Sequence, residues 1–308
     1  MSVNDRFAVL DTPEVTHDTS KTSTMSDGQH FVILGGGSAA MSAAIKAGEM
    51  GAKVTIINGG LRFGGTCVNV GCVPSKALIR AAEANHRANH HPFSGISASS
   101  RISDFKALIQ QKRDLVDHMQ QTKYEDIFYS LPNTARIDGF GKIVGPGKIE
   151  VNGEIIEADN ILIATGATQY VPDVSGLEDS GYLTNESAFE LDELPESMIV
   201  LGGRYIALET AQMFSRLGSR VTLLQRSARI LPNESADLTD ELTSYLEIEG
   251  VQIITGVALQ NVSREGDLAV VKAEVDGIAR TFTASEILVA TGRTPNTQNL
   301  GLDSVEIA

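Results

Sequence analysis

A glycine turn between an apolar strand and a helix occurs twice in this 308-residue chain, and no other feature constrains the fold as strongly. The first turn, Gly35-Gly36-Gly37, follows an apolar run at 30–34, and the second, Gly202-Gly203, follows a similar run at 198–201. In both copies a helix and then another apolar strand follow, which is the order of a βαβ unit. In such units the turn and the helix N-terminus face the pyrophosphate of a bound dinucleotide. Two copies in the same context favour two nucleotide-binding units over a parallel sheet with glycine turns and no ligand.

Two apolar runs with the same ending flank the second unit. Residues 160–166 and 286–292 each predict a buried strand that stops at a Thr-Gly turn. Their spacing indicates that one domain is inserted into another. We therefore expect an α/β fold with two Rossmann-like domains and a flexible N-terminal tail. The predicted boundaries are 1–28 for the tail, 29–157 for the first part of the first domain, 158–283 for the inserted domain and 284–308 for the returning segment of the first domain.

The net charge of −14 is distributed unevenly along the chain. Residues 1–150 contain 16 basic and 14 acidic residues, whereas residues 151–308 contain 9 and 25. An acidic surface disfavours nucleic acids and anionic membranes, and no run approaches the roughly 18 apolar residues of a membrane span. Two cysteines do not make the framework of a secreted protein, and the N-terminus lacks the pattern of a signal peptide. We therefore expect a cytoplasmic protein with no nucleic-acid or membrane partner.

Both cysteines lie in the segment from Gly64 to Lys76. Cys67 and Cys72 are five positions apart at the start of a predicted helix, and a helix N-terminus stabilises a thiolate. Such a pair can hold two electrons as a dithiol or a disulfide and can pass them on by exchange. A zinc site completed by His86 and His90 is a weaker interpretation, because no second closely spaced cysteine pair exists. A structural disulfide is equally disfavoured in a reducing cytoplasm.

These motifs together resemble those of the pyridine nucleotide–disulfide oxidoreductases. The resemblance extends from about His30 to the end of the chain, and it includes the cysteine segment, both glycine turns and the run Ala290–Asn296. Within that family the chain is most similar to the mercuric reductases. The similarity to that branch is carried by Ser75-Lys76, by residues 79–83 (Ile-Arg-Ala-Ala-Glu), by His91-Pro92-Phe93 and by Lys123-Tyr124-Glu125.

The resemblance implies an FAD domain that surrounds an inserted NADPH-binding domain. NADPH is favoured over NADH because NADP sites offer cations to the 2′-phosphate, and Arg226 and Arg229 follow the second strand of the second unit. The residues implied to contact FAD are Gly35, Gly37, Ala40, Asn58, Gly60, Gly65, Thr66, Lys76, Gly141, Thr165 and Gly166. Those implied to contact NADPH are Gly202, Arg204, Ala207, Gln225, Arg226 and Arg229, and Gly292 is implied as a further cofactor contact.

The resemblance also implies a catalytic relay. NADPH would reduce FAD by hydride transfer, and the reduced flavin would reduce the disulfide through Cys72, with Cys67 as the outer, exchanging thiol. Lys76 and Glu209 would pair near the reactive nitrogen of the flavin, and Tyr205 would cover the flavin until nicotinamide arrives. In mercuric reductases the two thiolates also hold Hg(II) transiently during its reduction to Hg(0), which suits a soft metal and soft ligands. Core packing is the alternative for Tyr205, and a solvated helix position is the alternative for Glu209.

Three features depart from the family pattern. Asn58 stands where the family usually has an acid for the FAD ribose, so its hydrogen bond would lack charge assistance. Arg204 stands at the middle glycine position of the second turn, where it obstructs the pyrophosphate unless its side chain turns away. The sequence ends at Ala308, before the second FAD-contacting segment and the C-terminal dimerisation domain, which in mercuric reductases carries a terminal cysteine pair. We therefore expect a homodimeric parent enzyme and little mercury-reducing turnover by these 308 residues.

Two other functions remain open from the sequence. The Ser-Lys pair after the second cysteine is also found in lipoamide dehydrogenase, so a reductase of a small disulfide substrate is the runner-up. A flavin- or mercury-binding protein without turnover is the second alternative, and it is motivated by Asn58, Arg204 and the C-terminal end of the sequence.

Overall fold

The computed structural model describes residues 28–305, so the expected tail at 1–28 lies outside the described residues apart from Gly28. The strands are β1 (His30–Leu34), β2 (Lys53–Asn58), β3 (Thr134–Asp138), β4 (Lys142–Gly145), β5 (Lys148–Val151), β6 (Glu154–Glu157), β7 (Asn160–Ile163), β8 (Ala167–Gln169), β9 (Ser197–Leu201), β10 (Arg220–Leu224), β11 (Val251–Ile254), β12 (Val257–Glu265), β13 (Leu268–Val275), β14 (Ile278–Ala284), β15 (Glu286–Val289) and β16 (Arg293–Pro295). The helices are α1 (Ser38–Glu49), α2 (Gly65–Asn69), α3 (Cys72–Asn89), α4 (Phe105–Gln120), α5 (Asp126–Ser130), α6 (Asn185–Ala188), α7 (Tyr205–Leu217) and α8 (Ala236–Ile248), and a π-helical turn at Gln121–Glu125 joins α4 to α5.

Each glycine turn lies in its own four-stranded parallel sheet. The strand order is β3-β2-β1-β7 in the first sheet and β11-β10-β9-β15 in the second. The two orders are equivalent, because the strand before the turn is central in both. It is flanked by the strand after the helix on one side and by a strand that ends at a Thr-Gly turn on the other. This arrangement confirms the predicted α/β class with two Rossmann-like units.

The pairing of the two Thr-Gly strands differs from the predicted domain boundaries. β7 pairs with β1 in the first sheet, although the inserted unit was expected to begin at residue 158. β15 pairs with β9 in the second sheet, although the chain was expected to return to the first unit at residue 284. The reason is that an apolar run specifies a buried strand but not the neighbour with which it pairs. By sheet membership, residues 160–163 belong to the first unit and residues 286–289 to the second.

The helix after each turn packs on its own sheet through one face, on which buried residues recur every three or four positions. Small side chains let α1 approach its sheet closely, whereas α7 presents larger ones at intervals of three and four residues. The buried residues of α1 are Ala40, Met41, Ala44 and Ala47. Those of α7 are Ala207, Leu208, Thr210, Ala211, Met213, Phe214 and Leu217.

One hydrophobic core joins the two units. Leu78 and Ala82 of α3 and Ile109 of α4 belong to the same buried cluster as Leu208 and Phe214 of α7. A fully buried side chain of the larger kinds contributes about 1.5–3 kcal/mol to stability. The helix α3, which begins at the second cysteine, is therefore fixed against the second unit as firmly as the interior of a domain.

A two-stranded ribbon forms a second link between the units. β8 follows the first Thr-Gly turn, β16 follows the second, and the two strands pair antiparallel. The hydroxyl of Thr165 donates to the carbonyl of Asn296 (2.6 Å), and the hydroxyl of Thr291 donates to the carbonyl of Tyr170 (2.7 Å). The threonines of both turns therefore hold together the two segments that connect the units.

Two three-stranded antiparallel sheets complete the architecture, in the orders β4-β5-β6 and β12-β13-β14. All neighbouring strands in both of these sheets pair antiparallel. Their buried faces cover the parallel sheets, since Ile149 shares a cluster with Val32 of β1, and Val271 shares one with Leu201 of β9. Among residues 28–305, no helix combines the length and apolar character needed to cross a membrane.

We expect Gly202→Ala to lower the free energy of unfolding by about 2 kcal/mol or more. Gly202 has a φ of +120°, and an added Cβ would lie 2.4 Å from the carbonyl oxygen of Ala290, so backbone strain and a clash act together. Gly266→Ala is the matched control, because Gly266 has a φ of +62° but no atom within 4 Å of an added Cβ. Its loss should be about 1 kcal/mol. Urea unfolding of both variants measures the difference, and equal losses would contradict the packing argument.

Candidate active site

In each glycine turn, the first glycine packs closely against the backbone of a neighbouring strand end. Gly35 has a φ of +119°, and an added Cβ would lie 2.1 Å from the carbonyl oxygen of Ala164. Gly202 stands in the same relation to Ala290, at 2.4 Å. Only glycine fits at both positions. The fit places the N-termini of α1 and α7 at the carboxyl ends of their parallel strands, where α/β proteins bind nucleotides.

Both of these helices begin without a side-chain cap. Gly37 is the N-cap of α1 and Arg204 is the N-cap of α7, and neither helix has an acidic residue in its first turn. The first-turn N–H groups have no intrahelical partners and attract anions. Arg204 has an extended backbone and an exposed side chain, so replacing the middle glycine strains nothing here. Both helix starts therefore fit the pyrophosphate of a dinucleotide, which is the fit that FAD and NADPH require.

An amide side chain covers the second glycine of each turn. An added Cβ on Gly36 would lie 2.1 Å from Oδ1 of Asn58, and one on Gly203 would lie 2.9 Å from Cδ of Gln225. Asn58 ends β2 and Gln225 directly follows β10, so the two amides hold nearly equivalent places. Asn58 also donates from Nδ2 to the carbonyl of Leu61 at 3.2 Å. In both units, a neutral amide therefore occupies the position at which many dinucleotide sites have an acidic residue that binds the ribose.

A cleft of about 590 Å³ opens beside Asn58. Gly60, Arg62 and Arg136 line it, together with the exposed ring of Phe140. The cleft lies at the carboxyl ends of β2 and β3, and its volume is within the roughly 300–1,000 Å³ of small-molecule sites. Its place and size suit the adenosine half of a dinucleotide whose pyrophosphate lies at α1.

The cysteine segment lies directly against the first glycine turn. Gly37 and Gly64 form a β-bridge, and an added Cβ on Gly65 would lie 2.6 Å from the Cα of Gly37. Cys67 lies in the short helix α2, and Cys72 is the first residue of α3. The fold therefore brings the thiol pair next to the N-terminus of α1.

Both cysteines are free thiols, Cys67 half-buried and Cys72 exposed. Burial is the main cause that raises the pKa of the Cys67 thiol to about 11, and a side-chain hydrogen bond with Cys72 adds to the rise. An outer, exchanging Cys67 would be expected to be the more accessible thiol. In this dithiol form Cys72 is the more accessible of the two.

Lys76 and Glu209 meet across the boundary between the units. Nζ of the lysine on α3 lies 2.5 Å from Oε2 of the glutamate on α7. The side chains are 56% and 45% exposed, so the ion pair adds at most about 1 kcal/mol to stability. Lys76 follows Cys72 by one helical turn and lies on the same face of α3. The two units thus hold a lysine–carboxylate pair beside the thiols, and Glu209 is not an unpaired solvated residue.

Tyr205 is 60% exposed, so the core-packing role considered for it is wrong. Its hydroxyl donates to Oε1 of Glu234 at 2.6 Å, and this hydrogen bond is the main cause that raises the pKa of the tyrosine. Arg229 donates in turn to the carbonyls of Glu234 and Pro232. The ring is thereby held against the loop that carries the cations predicted for the 2′-phosphate.

Arg226 and Arg229 differ in what they contact. Arg226 is exposed and forms no ion pair or side-chain hydrogen bond with any residue of the described range 28–305. Arg229 is half-buried and bonds to its own loop. Gln225 is buried, with its Nε2 at 3.4 Å from the carbonyl of Arg229. Of these two arginines, Arg226 is the one whose side chain has no hydrogen bond or ion pair to give up within the described residues.

Three more of the predicted residues serve packing. Ala40 and Ala207 are buried in the first turns of α1 and α7, where a larger side chain would push the helix off its sheet. Gly141 packs on the core, since an added Cβ would lie 2.6 Å from Cδ2 of Leu34. Gly141 is thus placed beside the end of β1 and not among the residues that line the cleft.

The remaining predicted residues shape backbone turns. Gly166 and Gly292 follow the two turn threonines with φ of +71° and +150°. Thr66 lies in α2, and its carbonyl accepts the N–H of Val70 at 3.0 Å. Gly166 and Gly292 therefore contribute only backbone to the site.

Three residues of the site were not predicted from the sequence. Tyr124, in the π-helical turn, shares a hydrogen bond of 2.9 Å with the hydroxyl of Ser38 at the start of α1. Asn185 donates to the carbonyl of Val70 between the cysteines, and Glu234 binds the Tyr205 hydroxyl. A π-helical turn often marks a functional site, but no local pattern announces one in the sequence.

The zinc interpretation of the cysteine segment is wrong. His86 and His90 lie on α3 beyond Cys72, and fourteen residues of helix separate Cys72 from His86 by roughly 21 Å. Within the part of the chain that the structure describes, no three His, Cys, Asp or Glu side chains are grouped to hold a metal ion.

Two dinucleotide-binding units that share a core and hold a thiol pair between them define a nucleotide-dependent redox protein. The model of the family described as pyridine nucleotide-disulphide oxidoreductase matches residues 29–308, and the chain belongs to this family. Members of the family depend on FAD and NAD(P)H, the cofactors that the sequence predicts.

Several relatives carry the name mercuric reductase. The chain is 42% identical to the mercuric reductase of Staphylococcus aureus over 282 residues, which are 91% of this chain and 51% of that protein. It is 41% identical to the mercuric reductase of Bacillus cereus over 281 residues, which are 90% of this chain and 44% of that protein. The chain therefore spans about half the length of these relatives.

A solved structure has the same fold. The HOCl-induced flavoprotein disulfide reductase RclA of Escherichia coli matches with a TM-score of 0.78 and 29% sequence identity. The match covers 91% of this chain and 60% of that one.

We expect iodoacetamide to alkylate Cys72 before Cys67 in the reduced, cofactor-free chain. The raised pKa keeps Cys67 as the unreactive thiol at pH 8, and its alkylation rate should rise about tenfold per pH unit until pH approaches 11, because only the thiolate reacts. Mass spectrometry of the two cysteine peptides between pH 7 and 11 measures both rates. A Cys67 rate that levels off below pH 9 would show that burial does not control this thiol.

Proposed function

We propose that this chain is the nucleotide-binding and redox-active part of an NADPH-dependent flavoprotein that reduces Hg(II) to Hg(0) through the pair Cys67 and Cys72. The observation that carries the proposal is the joint placement of that pair and the Lys76–Glu209 ion pair between two dinucleotide turns. The similarity of about 40% to several mercuric reductases supports mercury as the final acceptor.

We assign one cofactor to each of the two units. FAD would be held by the uncapped start of α1 and the adjoining cysteine segment, with its adenosine in the cleft beside Asn58. NADPH would be held by the uncapped start of α7, with Arg226 at the 2′-phosphate. When bound, these cofactors supply the two-electron transfer chemistry that the protein side chains lack.

The protein groups orient and tune that chemistry. Cys72 and Lys76 occupy one face of α3, and Glu209 of α7 pairs with Lys76, so the ion pair would lie one helical turn from the thiol that would accept electrons from the flavin. The carboxylate holds the ammonium in place, and the ammonium favours negative charge beside it. Cys67, half-buried behind Cys72, completes the dithiol.

Mercury suits the thiol pair for a chemical reason. Hg(II) is a soft metal ion and prefers thiolate to the oxygen and nitrogen ligands of the surface. The cysteine pair would bind Hg(II) as substrate, and the same two sulfur atoms would hold it during reduction. We place this activity in the cytoplasm and the parent protein in a homodimer, as the sequence similarity suggests.

A disulfide reductase is the second candidate. The fold match to a flavoprotein disulfide reductase at 29% identity favours it, and the site described here would serve a small disulfide as well as a metal ion. The two candidates share the electron path to Cys67 and Cys72 and differ in the acceptor.

We expect the chain to bind FAD, to turn yellow and to lose its flavin colour on addition of NADPH under anaerobic conditions. We further expect the reduced chain to bind one Hg(II) per cysteine pair, and Cys67→Ser and Cys72→Ser to bind it at least tenfold more weakly, because one thiolate is lost. Visible spectra and competition with glutathione measure these effects. A colourless chain that still binds Hg(II) would identify a sequestering protein. A yellow chain that binds Hg(II) as tightly in both variants as in the parent would remove mercury from the proposal.

We expect Arg226→Ala to weaken NADPH binding about tenfold or more while NADH binding stays within twofold, because a charge-assisted hydrogen bond to phosphate is lost. Arg280→Ala is the control, since Arg280 is an exposed arginine of the same unit on β14. Isothermal titration of the chain with each nucleotide measures the effect. Equal losses for both nucleotides would show that Arg226 does not read the 2′-phosphate.

A further inference from the structure

A single side chain of the second unit reaches the loop between the two cysteines. Asn185, the first residue of α6, is 4% exposed, and its Nδ2 donates to the carbonyl of Val70 at 3.2 Å. Val70 follows α2 and precedes α3, so its carbonyl lies between Cys67 and Cys72. The bond connects positions 115 apart in the sequence.

Asn185 supplies a hydrogen bond to this carbonyl that the backbone of α3 does not. A carbonyl before a helix can be paired by the N–H four positions on, but residue 74 is proline and has no N–H. The neighbouring carbonyl of Gly71, by contrast, is paired by Ser75 at 3.0 Å. The proline of the cysteine segment thus leaves the Val70 carbonyl to a partner from outside the helix.

The donor is held in place by the second parallel sheet. The backbone of Leu183 exchanges hydrogen bonds of 2.8 Å with Ile287 and Val289 of β15. Thr184 then caps α6 through a reciprocal pair of hydrogen bonds with Ser187. Asn185 therefore sits on a short, fixed connection to the core of the second unit, whereas the loop it binds belongs to the first.

We propose that Asn185 is a positioning residue that favours the dithiol state of Cys67 and Cys72 over the disulfide. The inference rests on the proposed function, in which the two cysteines are a redox pair. Two glutathione molecules reduce the disulfide, and the S–S bond breaks as glutathione disulfide forms. Two electrons and two protons thereby pass to the cysteine sulfurs.

The direction follows from the geometry. The Asn185 bond is present while both cysteines are free thiols. Disulfide formation brings the two sulfur atoms, which share a hydrogen bond in the dithiol form, to about 2.05 Å, and the proposal is that the loop carrying Val70 moves with them. A donor fixed to the other unit does not follow that movement, so its hydrogen bond is strongest in the dithiol state.

The test measures the ratio of dithiol to disulfide in the full chain equilibrated with mixtures of reduced and oxidised glutathione. Asn185→Ala should lower the dithiol fraction, with the equilibrium constant falling about three- to tenfold, the worth of one hydrogen bond. A tenfold fall corresponds to about 30 mV. Asn185→Asp has the same shape but cannot donate, so it should shift the equilibrium in the same direction. Either variant decides the question if the other does not fold.

Asn85→Ala is the matched control. Asn85 on α3 donates from Nδ2 to the carbonyl of Arg216 on α7 at 2.7 Å, so it also ties the two units together through one amide. Its Oδ1, like that of Asn185, is buried without a hydrogen-bond partner in the described residues. We expect Asn85→Ala to lower the unfolding temperature about as much as Asn185→Ala and to leave the thiol–disulfide ratio within twofold of the parent.

Two results would overturn the inference. One is a ratio unchanged in both Asn185 variants, and the other is an equal shift in Asn85→Ala, which would indicate general loosening of the units. If the parent chain forms no Cys67–Cys72 disulfide at any glutathione ratio, the proposed function fails together with the inference. If the parent forms it and the Asn185 variants match the parent, the inference alone fails.

Discussion

The packing of α3 against α7 is the interaction on which the rest of the structure depends. Burial of Leu78 and its partners contributes about 1.5–3 kcal/mol for each large side chain, whereas the exposed ion pair between Lys76 and Glu209 contributes at most about 1 kcal/mol. The ion pair therefore does not join the units. The helices are brought together by apolar burial, and their polar ends meet as a result.

This order of causes has a chemical consequence. Because α3 starts at Cys72 and belongs to the core of the second unit, the thiol pair is a part of the first unit that the second unit positions. Asn185 adds a polar contact of the same kind, from the second sheet to the loop between the cysteines. The segment that carries the two cysteines is therefore in contact with both units, an arrangement that the proposed relay between two cofactors would use.

The two units have the same strand–turn–helix backbone but carry different side chains on it. In both, the first glycine allows contact with the carbonyl before a Thr-Gly turn, and in both an amide covers the second glycine. The third position is Gly37 in one unit and Arg204 in the other, and both keep an extended backbone at the helix start. The units therefore differ in the charge and length of these side chains. In the second unit, Arg226 adds a further cation on the loop that follows β10.

Much of the fold could be predicted, because glycine turns and apolar runs are local signals. The strands before the two glycine turns, β1 and β9, lie where the apolar runs at 30–34 and 198–201 predict them. The sheet to which β7 and β15 belong could not be predicted, since pairing is a long-range choice between two similar strands. The Lys76–Glu209 contact was anticipated only through the family resemblance, as no local pattern joins residues 133 positions apart.

The unpredicted part of the site depends on tertiary contacts alone. Asn185 and Glu234 look like ordinary polar residues until the fold brings them to Val70 and Tyr205. The exposure of each cysteine could not be predicted from the sequence either. The spacing of the cysteines indicates a redox pair, but the burial of Cys67 arises from the packing around α2.

Counting thiols shows whether electrons from the nicotinamide nucleotide reach Cys67 and Cys72. The oxidised, FAD-loaded chain would be treated anaerobically with increasing NADPH, quenched with an alkylating reagent and digested for mass spectrometry. We expect Cys67 and Cys72 to become alkylated together, with one NADPH consumed for each cysteine pair beyond the amount that the flavin takes up. Complete bleaching of the flavin while both cysteines stay in the disulfide would contradict it.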